Sequence, residues 1–124
     1  MRVDRLEFVS QFRRDDTILL SAGPHLKRLA REMRGQVLSL NSPEGAPPTL
    51  PKAVLQLSDT LVHVAPTRFQ FVMYPPPHVT TDYDSAANFA RDRALPILRE
   101  LLRAEVECVW SGVIGVLDYP REHG

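Results

Sequence analysis

The chain has 124 residues and a mass of 14.0 kDa, space for one domain with its own core and for no cofactor domain beside it. With 44% hydrophobic and 24% charged residues, the composition is that of a globular protein and excludes a disordered tail or a coiled coil. Fifteen basic side chains balance fifteen acidic ones, so no global field draws the chain toward nucleic acid or anionic lipid.

The first segment alternates as a strand does, with Leu6, Phe8 and Phe12 on one face and Arg5, Glu7 and Gln11 on the other. Its charged opening, Met1 to Glu7, lacks the apolar stretch of a signal peptide, so a cytoplasmic protein is expected. The polar quartet Arg13-Arg14-Asp15-Asp16 reads as a turn into a second strand, Thr17 to Ser21, and the two predict a hairpin. Gly23-Pro24 breaks that strand and opens a helix over Pro24 to Arg34. Leu26, Leu29, Ala30 and Met33 form its inner stripe, Lys27, Arg28, Arg31 and Arg34 its outer face, and Gly35 its C-terminal cap.

Gln36 to Asn41 reads as a short strand, followed by a proline-rich surface loop over 42–52 that admits no regular structure. A meander comes next: Ala53 to Leu57, Leu61 to Ala65 and Arg68 to Tyr74, joined by short polar turns. In the last of these Phe69, Phe71 and Met73 share a face. Pro75-Pro76-Pro77 ends the sheet edge. Asp84 or Ser85 is placed to cap a long helix reaching Ala104, with Ala86, Phe89, Ala90, Ala94, Ile97, Leu98, Leu101 and Leu102 inward. Arg91, Asp92, Arg99, Glu100 and Arg103 fall outside it, and Pro96 is expected to kink or restart it.

The closing segment, Glu105 to Tyr119, predicts one long strand in which Gly112 and Gly115 mark places to bend or bulge. Val106, Cys108, Trp110 and Ile114 fall on one face, and Val109, Val113 and Leu117 on the other. The whole predicts a single α+β domain, a mostly antiparallel sheet of six or seven strands with two helices packed on one face. Helices on one side can shelter only one face of the last strand, while its pattern is apolar on both. Val109, Val113 and Leu117 together hold on the order of 200–300 Å² of apolar surface, roughly 5–8 kcal/mol of burial before association costs.

Three constellations bear on chemistry. His78, Thr80, Thr81, Asp82, Tyr83 and Asp84 form the densest polar cluster, but its spacing matches no ligand or acid–base motif; helix capping and turn bonds account for it. His25 and His63 read as ordinary half-buried or surface residues, and no nucleophile elbow, phosphate loop or dinucleotide turn exists. Cys108 is the only cysteine, which excludes an intramolecular disulfide, and its apolar run suits an inert thiol. No catalysis, metal or cofactor is expected. The basic face Lys27, Arg28, Arg31 and Arg34 is the nucleic-acid candidate, without an aromatic platform for stacking. The proline segments at 43–51 and 75–77 are stiff and suit either docking or plain connection. The reading these features favour is a non-enzymatic protein-interaction module that pairs with itself through the closing strand and long helix. Its contact residues are Val109, Trp110, Val113, Leu117 and Tyr119; nucleic-acid binding through the basic helix is the alternative.

Overall fold

The computed structural model describes residues 2–41, 43, 45–76, 82–104 and 108–118, with 2–4 and 108–118 described by their backbone alone. The elements run β1 (Arg2–Phe12), α1 (Ile18–Glu32), β2 (Gln36–Ser39), β3 (Ala53–Gln56), β4 (Thr60–Ala65), β5 (Arg68–Met73), α2 (Tyr83–Leu101) with a 3₁₀ turn (Leu102–Ala104), and β6 (Cys108–Asp118). The strands form one antiparallel sheet in the order β2-β3-β4-β5-β1-β6, so the first strand is flanked by the fifth and the last. The α+β class is as expected from the sequence.

The N-terminal hairpin is not formed. Thr17 to Ser21 opens a helix instead, because Ile18 and Ala22 continue the stripe of Leu26 and Leu29 at helical spacing, and all four are buried. Asp15 launches it: its Oδ1 accepts from the Thr17 backbone N–H at 2.9 Å and from the Thr17 hydroxyl at 2.7 Å. The Asp15 N–H donates to the Pro66 carbonyl at 2.8 Å, which pins this turn to the β4–β5 connection. Pro24 sits inside α1 rather than at its start. The residue whose carbonyl Pro24 deprives of a donor is Leu20, 78% exposed on the outer side, where the helix tolerates the loss.

Gly35 is not the left-handed cap. Arg34 holds that position at φ 56°, and the Gly35 N–H closes the helix by donating to the Ala30 carbonyl at 2.8 Å. Gly35 is required for space: a Cβ there would stand 2.5 Å from both the Gln56 carbonyl oxygen and Leu57 Cδ2.

The core lies between the sheet and both helices. Leu6 and Phe12 of β1, Leu55 of β3, Val62 and Val64 of β4, and Phe69, Phe71 and Met73 of β5 face Ile18, Ala22, Leu26 and Leu29 of α1 and Ala86, Ala90, Ala94, Ile97 and Leu101 of α2. Three alanines in the α2 stripe let that helix lie close on β1. Its cap is Asp82, not Asp84 or Ser85: Asp82 accepts from the Asp84 N–H at 3.1 Å and the Ser85 hydroxyl at 2.7 Å. Ser85 and then Asp84 hold the Asp82 carboxyl below its ordinary pKa. The helix continues through Pro96 to Leu101 without a restart.

Glu100 is the largest departure from the expected surface pattern. It is buried between the helices, within 3.2 Å of His25 Nδ1 and Arg28 Nε and 3.6 Å of an Arg103 nitrogen. Two turns earlier on α2, Arg93 holds Asp59 in the β3–β4 turn at 2.8 Å.

Candidate functional site

The sheet has two margins of different character. At one end β2 is four residues long. At the other, β6 runs for eleven, and between Cys108 and Leu117 it carries no charge and no proline. Among the described residues its outer edge has no strand beside it. Edge strands are normally kept short or interrupted by charges, prolines or bulges, because unpaired N–H and C=O groups recruit other strands.

The β1–β6 ladder is continuous from Arg5–Val116 to Gln11–Trp110, through the Gly112 and Gly115 positions. The irregularities expected at those glycines lie instead at the ends, between Val3 and Arg5 and between Gln11 and Phe12. The second leaves Val109 as the extra residue of the strand.

Directly opposed residues of an antiparallel pair share a face. Val113 is opposed to Phe8, and Trp110 and Ile114 to Gln11 and Glu7. The register therefore decides between the two apolar faces: position 113, and 117 with it by alternation, lies on the helix side, and positions 110 and 114 on the open side. Tyr119 lies outside the described residues.

Beside the margin, α2 rests on β1, and its flank toward β6 borders an open apolar groove of about 200 Å³. Phe8 and Met73 floor it, and Tyr83, Ala87, Leu95 and Leu98 rise along the helix, with Arg91 the one charged side chain among the described residues of the lining. The Phe8 ring is held edge-on to Phe71, centroids 5.5 Å apart. Tyr83 is 44% exposed, and Leu95 and Leu102 are 39% exposed each. Sequence reading missed this flank. Its signal was the recurrence of Leu95, Leu98 and Leu102 at i, i+3 and i+7, a second seam beside the alanine stripe.

The basic face is not a uniform array. Lys27, Arg31 and Arg34 are exposed, whereas Arg28 Nε is held by Glu32 at 3.1 Å and Glu100 at 3.2 Å. These carboxylates, Glu32 foremost through its hydrogen bond, raise the Arg28 pKa.

His63 lies on the open sheet face, opposite Gln70, with its pKa lowered by desolvation first and by the Arg68 charge second, and Glu7 opposing. In the polar cluster, Asp82 is committed to capping; His78, Thr80 and Thr81 lie outside the described residues. The proline loop is tied down through Thr67, whose hydroxyl donates to the Pro48 carbonyl at 3.0 Å.

Among the described residues no three His, Cys, Asp or Glu side chains gather to hold a metal ion, and no helix is long and apolar enough to cross a membrane. No family model, curated protein or solved structure matches the chain.

Proposed function

We propose that the chain is a non-enzymatic, cytoplasmic interaction module that extends its sheet through the β6 edge, pairing with β6 of a second copy. The observation that carries this is the margin itself: ten of the strand's eleven residues, Cys108 to Leu117, run without charge or proline. Such an edge supplies main-chain hydrogen bonds to an incoming strand, and its apolar positions supply burial on both sides. A copy running antiparallel presents the same edge, which makes the contact self-complementary.

The test is sedimentation across roughly a hundredfold dilution series, beside the variant Ile114→Lys. Ile114 is opposed to Glu7, so a lysine gains a cross-strand partner within the fold while blunting the edge. The expected result is a dimer that the substitution turns into a folded monomer. A native chain that remains monomeric throughout overturns the proposal.

A further inference from the structure

Resting on that pairing, we infer that the groove beside α2 is the seat of the α2 flank of the second copy, so that the module joins through two layers. The area argument comes first. A strand edge of eleven residues, at about 3.4 Å each and one sheet about 10 Å thick, offers roughly 370 Å² a side, under half of the about 800 Å² per partner of a stable interface. A strand contact alone is therefore too small, and the second layer must contribute.

Symmetry says where that layer lies. An isologous antiparallel pairing of one edge with itself has its two-fold axis normal to the sheet, so both helix layers stay on the same side. The strands across the junction are then β1, β6, the second β6 and the second β1, three spacings of about 4.8 Å, which puts the two β1 strands about 14 Å apart. Each α2 lies on its own β1. The two helices thus run antiparallel about 14 Å apart, beyond the 8–10 Å of close packing, and only long side chains on the facing flanks span the trough.

The flank carries them. Tyr83, Arg91, Leu95 and Leu98 border the groove, and Leu102 continues the line one turn further. Read in opposite directions about a centre between Asp92 and Arg93, the flank complements itself. Tyr83 of one copy meets Leu102 of the other, and Ala87 meets Leu98, a large side chain against a small one.

Two measurements separate this inference from the pairing it rests on. In a Cys108→Ala background, Arg91→Cys places a single thiol near the symmetry centre, and a short bis-maleimide is expected to link two copies there; Lys27→Cys on α1 is expected to give no linked dimer. Leu95→Glu, at a side chain 39% exposed in the single copy, is expected to leave the melting temperature unchanged at concentrations where the native chain is monomeric and to weaken the dimer at least about tenfold. A dimer that neither links at position 91 nor weakens on Leu95→Glu overturns the helix layer and leaves the strand pairing standing. A native chain that is monomeric at every concentration overturns both.

Discussion

Gly35 offers the most direct test of how the helix layer is joined to the sheet. An alanine Cβ at this position would meet the Gln56 carbonyl oxygen and Leu57 Cδ2 at 2.5 Å, nearly an ångström inside ordinary contact. Leu57 is a side chain and can rotate, although it is only 6% exposed. The Gln56 carbonyl cannot give so easily, because β3 is laddered on both sides, Gln56 to Gln36 of β2 and to Leu61 of β4. Forcing one methyl into such a site costs about 1–3 kcal/mol. A central value of about 2 kcal/mol lowers the melting temperature of a domain this size by roughly 8 °C. The companion change is Arg34→Gly. Since Arg34 holds φ 56°, glycine there relieves about 1 kcal/mol of backbone strain. If Gly35 were the left-handed cap, Arg34 would be helical and Arg34→Gly would destabilise by about 0.5–1 kcal/mol. Urea and thermal denaturation of both variants decide it. A Gly35→Ala protein within about 0.5 kcal/mol of the native one, or an Arg34→Gly protein less stable than it, refutes the reasoning.

Two further outcomes follow from the ion pairs and the open face. Glu100→Gln is expected to cost about 1–2 kcal/mol in urea denaturation, because it removes a buried carboxylate shared by His25, Arg28 and Arg103; a loss under about 0.3 kcal/mol would show that the cluster does not hold α1 to α2. For His63 the folded pKa lies below the ordinary 6.5, so the unfolded chain takes up its proton first. Its contribution to stability is full above 6.5 and is lost as pH falls through the folded value. His63→Gln is therefore expected to flatten the melting temperature against pH below 6.5 relative to the native chain, and an unchanged difference at every pH sinks that account.

The parts of the fold legible in the sequence are those whose periodicity belongs to one element. The meander was readable because Phe69, Phe71 and Met73 alternate cleanly and its turns are short and polar. The long helix was readable from its alanine and leucine stripe. The N-terminal hairpin was misread because Thr17 to Ser21 is too short to show its period. Its helical spacing appears only when Ile18 and Ala22 are joined to Leu26 and Leu29 across Gly23-Pro24. Glu100 gave no sign of burial, since two of its three partners, His25 and Arg28, lie on the other helix, and no local pattern encodes that crossing. Both apolar faces of the last strand were visible, but not which face the helices cover. That depends on the pairing of Phe8 with Val113, a contact between the two ends of the chain.

The placement of β1 has a consequence for synthesis. Of the described strands, the first to be translated is also an inner one, and the neighbour on its far side is the last of them to leave the ribosome. Until β6 emerges, the nascent sheet ends at β1, whose backbone is exposed along a row that includes Leu6 and Phe8. The final strand therefore seals the earliest one, and a chain stalled shortly before residue 108 would leave that row open to whatever strand arrives first.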